Sequence, residues 1–326
     1  METATAPTPI IELNRLKKKY GDHVAVGGLN LSIQQGEIFG LLGPNGAGKT
    51  TTILMLLGLT EPTSGSARVC GLDPTRQPLQ IKRRVGYMPD DVGFYEDRTA
   101  LDNLIFTAQL NQIPRKEARD LAEQLLVRVG LGEVAGKKVG AFSRGMRQRL
   151  GIADVLIKRP SVIILDEPTL GIDPEGVREL LQLIRDLSRN EGLTVLLSSH
   201  HLHQVQQICD RVGLFVRGEL IAFGDVPSLA KQLDQEGLIT VELEATGFSE
   251  AALSELSALE DLVEVRGSVQ QGDTETTNVT LLGKRDLTTE AAGIVIQSGA
   301  QLQSIRRKQY GLDEIYHRYF EGGGLT

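Results

Sequence analysis

The residues Gly43-Pro44-Asn45-Gly46-Ala47-Gly48-Lys49-Thr50 set glycines, a lysine and a hydroxyl at the spacing G-x-x-x-x-G-K-[ST], the pattern of a loop that cradles phosphate. The glycines let backbone N–H groups turn inward without Cβ clashes, and a helix starting there adds positive potential. In such a loop Lys49 reaches the β- and γ-phosphates and the Thr50 hydroxyl binds Mg2+, with the phosphate contacts running on to Thr51. A second group is Val162-Ile163-Ile164-Leu165-Asp166-Glu167, an apolar run ending in two carboxylates. A buried strand ends where solvent or ligand begins, so Asp166 is placed to hold Mg2+. Glu167, one residue on, is expected to face the opposite side and to polarise an attacking water. The third group is Phe142-Ser143-Arg144-Gly145-Met146-Arg147-Gln148-Arg149, in which Ser143 suits a helix N-cap and Gly145 permits close approach to phosphate. Together these residues specify a nucleotide triphosphate site.

The chemistry needs elements to hold it. Glu37 to Leu42 reads as a short buried strand before the phosphate loop, and Thr51 to Leu57 as a helix closed by Gly58. Further buried strands are expected at Val85-Gly86-Tyr87, Val162 to Leu165, Thr194 to Leu197 and Val212 to Phe215. Alternation of strands and helices from Ile10 to about Phe223 indicates an α/β domain. Between Thr99 and Leu156 amphipathic helices replace the strands, notably Leu101 to Leu110 and Ala118 to Val129, which marks a helical insertion at about 92–158. After Pro227 the order becomes β-α-β-β-α-β, that of a small α+β ferredoxin-like unit over 236–310. A helix at Leu312 to Phe320 within 311–326 closes the chain, and a polar tail over 1–9 opens it.

Bulk properties exclude several classes. The 326 residues suffice for about two domains. No apolar run approaches the roughly 18 residues of a membrane helix, and no signal peptide precedes the polar N-terminus, which leads to the expectation of a cytoplasmic protein. Two isolated cysteines, Cys70 and Cys209, rule out a disulfide framework or a cysteine metal knuckle. A formal net charge of −7 argues against a broad nucleic-acid surface.

Ser143 precedes Asp166 by 23 residues, and with that arrangement the chain resembles the nucleotide-binding subunit of ATP-binding cassette (ABC) transporters from Ile10 to Leu233. The segment from Ser143 is similar to the family signature Leu-Ser-Gly-Gly-Gln, with Arg144 for its first Gly and Met146 for its Gln. Ser-x-Gly-Met-Arg-Gln variants resemble bacterial exporters whose permease is a separate protein. The resemblance implies a P-loop NTPase cassette over 10–235, with a β-rich lobe and the inserted helical subdomain. It implies that Asp166-Glu167-Pro168-Thr169 carries the metal and the catalytic base. Gly171-Ile172-Asp173-Pro174, with Asp173, resembles the loop between paired subunits, and Ser198-Ser199-His200 the switch that brings His200 to the γ-phosphate. Tyr20 sits where the family stacks an aromatic ring on adenine. Asp90 stands where the family usually has Gln; either it ligates Mg2+ or its charge holds the loop away from the phosphates until the permease moves it.

By the same resemblance two copies pair head to tail, each ATP lying between one copy's phosphate loop and the other's Ser143 and Gly145. The expected partner is an integral-membrane permease, which would hold the chain at the inner face of the membrane, with no nucleic acid. A soluble mechanochemical ATPase acting on ribosomes or nucleic acid is the alternative, disfavoured by the single cassette and the lack of coiled coils or zinc modules. A non-catalytic binder is disfavoured because Lys49, Asp166, Glu167 and His200 are all present. His200, His201 and His203 invite a metal, but no Cys or carboxylate nearby fits the spacing of a metal site, and His201 and His203 are expected on the surface at a helix start. The ferredoxin-like unit braces the dimer, senses a regulator or contacts the permease; its sequence does not choose.

Overall fold

The computed structural model describes residues 9–201, 204, 206–233, 239–267 and 276–307. The expected tail, save residue 9, and the expected helix Leu312 to Phe320 lie outside the described residues. The chain divides into two compact units between Val226 and Pro227; the boundary expected at 235/236 falls among residues that are not described.

The first unit is built on a six-stranded sheet in the order β5-β6-β7-β3-β8-β9. Its strands are β3 (Ile38–Leu42), β5 (Val85–Met88), β6 (Val162–Asp166), β7 (Thr194–Ser199), β8 (Arg211–Val216) and β9 (Glu219–Gly224). All neighbours are parallel except β8 and β9. Every residue of β3, β6 and β7 is buried, which is why their central residues read as apolar runs: both faces of the sheet are covered. Each fully buried Leu or Ile contributes about 1.5–3 kcal/mol of transfer free energy.

A three-stranded antiparallel sheet, β2-β1-β4, forms a second layer from β1 (Ile11–Tyr20), β2 (His23–Ile33) and β4 (Ser64–Val69). It shares a hydrophobic core with β3 through Ile11, Leu16, Val26, Phe39 and Leu41. The phosphate loop leads from β3 into α1 (Lys49–Leu56), and α2 (Pro78–Arg84) precedes β5. Helices α3 (Ala100–Leu110), α4 (Arg115–Arg128) and α5 (Arg144–Leu156) form the insertion, and α6 (Pro174–Glu191) links β6 to β7. The helix α7 (Val226–Leu233) follows β9.

The second unit carries β10 (Ile239–Thr246), α8 (Glu250–Ser257), β11 (Leu262–Arg266), β12 (Thr276–Gly283), α9 (Thr288–Gln297) and β13 (Gln301–Arg307). Its sheet runs β11-β12-β10-β13 with every neighbouring pair antiparallel, an arrangement of the split-βαβ kind. Val241, Leu243, Val279, Leu281, Leu256 and Val295 make its separate core. Among the described residues no helix is long and apolar enough to cross a membrane.

Candidate nucleotide site

Four parallel strands end on one edge of the large sheet, and the chemistry is there. Register pairs Leu42 with Ser199, Asp166 with Ser198, and Met88 with Leu165. The segments that follow β3, β5, β6 and β7 therefore emerge side by side, the place where ligands bind in open α/β sheets. They enclose a cavity of about 620 Å³ lined by Tyr20, His23, Ala25, Pro44 to Thr51, Tyr87, Asp90, Asp166, Glu167, Leu170 and His200.

The phosphate loop is shaped by its surroundings. A Cβ at Gly43 would lie 2.1 Å from the Phe215 carbonyl oxygen, and one at Gly48 would lie 2.3 Å from that of Ala25. Gly48 also holds φ at 107° as the N-cap of α1, with no side chain capping the helix and no acidic residue in its first turn. The N-terminal N–H groups of α1 thus face the cavity without an anionic side chain from their own helix to quench them. Lys49 folds back over the loop: its ammonium donates to the carbonyls of Gly43 at 2.7 Å and Pro44 at 3.2 Å.

Opposite the loop, the Thr50 hydroxyl donates to Asp166 Oδ2 at 3.1 Å. Ser198 Oγ donates to Asp166 Oδ1 and accepts from the Glu167 N–H at 3.1 Å. Burial raises the Asp166 carboxyl above the usual carboxylate range; its bonds from Ser198 and Thr50 oppose this, and the Glu167 and Asp90 carboxylates add to it. The Tyr87 phenol is likewise pushed up to about 12, first by burial and then by Asp166 and Asp90.

Glu167 does not face away from Asp166 as alternation along a strand implies. Its φ is 49°, so the backbone leaves the pleat at that residue and both carboxylates enter the same cavity. Glu167 Oε1 lies 3.3 Å from the Lys49 ammonium, and Oε2 lies 2.9 Å from His200 Nδ1. The expected lack of a fitting carboxylate near the histidines is corrected too, because adjacency of β6 and β7 brings Glu167 to them. One ligand atom from each of Glu167, His200 and His201 lies within 4.8 Å of the others. His201 is half-buried and its ring is 4.0 Å from that of His200. Burial lowers its pKa, His200 lowers it further, and Glu167 opposes both. His203 lies outside the described residues.

Ser143, Gly145 and Asp173 do not line this cavity. Ser143 caps α5, accepting from the Met146 N–H at 3.2 Å, and Asp173 caps α6, accepting from the Gly176 N–H at 3.2 Å. The two caps are neighbours: a Cβ at Gly145 would touch Ile172 Cγ2 at 3.3 Å. Beyond the expected residues the cavity takes in His23 and Tyr87, and Ser198, expected only as part of the switch segment, bridges Asp166 and the Glu167 N–H.

The family described as "ABC transporter" matches residues 26–170. Over 250 residues the chain is 37% identical to the linearmycin resistance ATP-binding protein LnrL of Bacillus subtilis, covering 77% of this chain and 79% of that one. Over 212 residues it is 44% identical to the bacitracin transport ATP-binding protein BcrA of Bacillus licheniformis, covering 65% and 68%. The dimeric ATP-binding cassette MJ0796 bound to ADP and Pi superposes with a TM-score of 0.60 at 25% identity, over 66% of this chain and 98% of that one. With its phosphate loop and paired carboxylates set at one sheet edge and these relatives covered over most of their length, the chain belongs to the ABC transporter family as an ATP-binding subunit.

Proposed function

We propose that the chain is the ATP-hydrolysing motor of an exporter and works as a dimer on a separate membrane permease. The observation that carries this is the convergence of Lys49, Glu167 and His200 within 3.3 Å contacts over a helix N-terminus left open to an anion. Pro44 to Thr51 wrap the triphosphate with backbone N–H groups, and Lys49 moves from the Gly43 carbonyl onto the β- and γ-phosphates. Tyr20, half exposed on the cavity rim, offers its ring to the base.

Thr50, Asp166 and Asp90 present only oxygen donors, and the buried carboxylate already bonded to the Thr50 hydroxyl suits a hard cation, so these three would hold Mg2+. Mg2+ held there would offset negative charge on the phosphates. Glu167, released from Lys49 as that lysine turns to phosphate, orients the water and takes up its proton. His200, held by Glu167 Oε2 and lining the cavity, steadies charge on the γ-phosphate.

Ser143, Gly145 and Asp173 stand outside their own subunit's cavity, which fits service to the nucleotide of a second copy, closing the dimer. ATP then acts as the ligand that selects the closed state, and loss of the γ-phosphate reopens it. Outward transport is supported by the Ser143 to Gln148 signature variant and by a relative named for linearmycin resistance. The chain would lie at the cytoplasmic face of a membrane through its permease. Affinity purification of tagged Glu167→Gln protein from detergent-solubilised membranes with ATP present tests this. A stoichiometric multi-span membrane protein is expected. Recovery of ribosomal proteins or nucleic acid without one would overturn the transporter reading.

A further inference from the structure

Arg144, the first residue of α5, ties three segments together. Its Nη2 donates to the Asp90 carbonyl at 2.7 Å, and its Nε donates to the Leu170 carbonyl at 3.2 Å. Its Nη1 lies 4.0 Å from Asp91 Oδ1. Gln148, one turn on, donates to the same Asp90 carbonyl at 3.4 Å. The methylene stem runs over the next loop, where a Cβ at Gly171 would be 3.8 Å from Arg144 Cγ. Asp90 itself follows β5 and lines the nucleotide cavity.

Two donors from α5 therefore hold the main chain at Asp90, while the first of them also holds the loop that leads to Asp173. The guanidinium serves both because it is a planar fork with donors in fixed, divergent directions. A lysine ammonium offers one centre and does not span both carbonyls in this geometry. The guanidinium is spent on its own subunit and has bonds to neither Ser143 nor the phosphate loop among the described contacts.

We propose that Arg144 is a positioning residue that fixes Asp90 to the signature helix, so that the carboxylate at the nucleotide and the Ser143–Gly145 turn move as one body. This rests on Asp90 being a metal-facing group of the proposed site. Asp90 Oδ1 accepts from the Asp91 N–H at 2.8 Å, so the orientation of the carboxylate follows the main chain that Arg144 holds. A signal that shifts α5 would then alter metal binding without touching the phosphate loop.

ATPase activity of the full-length chain, titrated with free Mg2+ at saturating ATP, tests the proposal with Arg144→Ala, Arg144→Lys, Asp90→Ala and the Arg144→Ala/Asp90→Ala pair. Arg144→Ala is expected to raise the Mg2+ half-saturation roughly tenfold, the scale of one charge-assisted hydrogen bond. Arg144→Lys should recover part of that shift. The double variant should shift little further than Asp90→Ala alone, because both changes act on one group. In a Glu167→Gln background, Arg144→Ala should still dimerise with ATP, which also shows that the variant folds. A shift with Asp90→Ala but none with Arg144→Ala would overturn the role of Arg144 alone. No shift with Asp90→Ala would overturn the reading of Asp90 on which it rests. Loss of dimerisation with an unchanged Mg2+ dependence would place Arg144 on the second copy's nucleotide instead, and would also overturn it.

Discussion

Lys49 and Glu167, one from the phosphate loop and one from the end of β6, form an ion pair of 3.3 Å with side chains only 6% and 12% exposed. The same carboxylate contacts His200 at the end of β7. One acidic group thus joins three strand ends. In the proposed mechanism a triphosphate competes for Lys49, and the pair opens for it. On that mechanism, binding and release of the base are a single event, because the cation that restrains Glu167 is the one that the phosphates would draw away.

Lys49→Ala should accordingly damage the protein twice. Removing one member of a buried pair leaves the other charged and unpartnered, at a cost of about 3–5 kcal/mol. ATP affinity should also fall by one to two orders of magnitude as a charge-assisted contact is lost. Thermal melts with and without ATP, together with a nucleotide-binding titration, separate the two effects. A variant that melts and binds like the parent would contradict the pairing.

Asp166 gives a pH-dependent prediction. Its pKa is raised in the fold chiefly by burial, against the pull of Ser198 and Thr50 and with help from Glu167 and Asp90. The folded chain therefore holds that proton more tightly than the unfolded chain does. Without metal, Asp166 costs stability above its raised pKa, and the cost vanishes as pH falls toward the ordinary Asp value. Asp166→Asn should raise the melting temperature of the nucleotide-free protein by a few degrees at pH 8, with a gain that shrinks toward pH 4. Mg2+-dependent hydrolysis should fall on the order of a hundredfold or more. An unchanged or lower melting temperature at pH 8 would contradict the burial argument.

The loop glycines should not be equivalent. Gly48 has φ 107° and would drive a Cβ to 2.3 Å from the Ala25 carbonyl, whereas Gly46, at φ 80°, has open space where its Cβ would go. Gly46→Ala should cost only the left-handed strain, about 1–2 kcal/mol. Gly48→Ala adds an overpacking term of about 1–3 kcal/mol. Denaturant midpoints of the two variants, compared at equal slope, measure the difference directly; equal midpoints would sink it.

What could be read from the sequence follows what the chemistry demands of consecutive residues. The phosphate loop needs its glycines, lysine and threonine in one stretch, and buried parallel strands need apolar runs, so both were legible. The face of Glu167 was not, because a single left-handed residue breaks the alternation that the pattern assumes. Nor was β1 visible as a strand: its buried residues Ile11, Leu13 and Leu16 lose the two-residue period at a bulge, where Arg15 has φ 45°. The Glu167–His200 contact spans 33 positions and exists only because β6 and β7 are neighbours. Arg144 looked like a departure from a signature, and its partners at Asp90 and Leu170 appear only once the insertion is folded against the sheet.

The most direct test of the account is Glu167→Gln, assayed for steady-state ATP hydrolysis and, by size-exclusion chromatography with light scattering, for dimer formation with Mg2+ and ATP. Hydrolysis should fall on the order of a hundredfold or more, with intact ATP binding and a stable ATP-dependent dimer. Hydrolysis at the parent rate would contradict the assignment of Glu167 as the base, and with it the mechanism built on its pairing with Lys49.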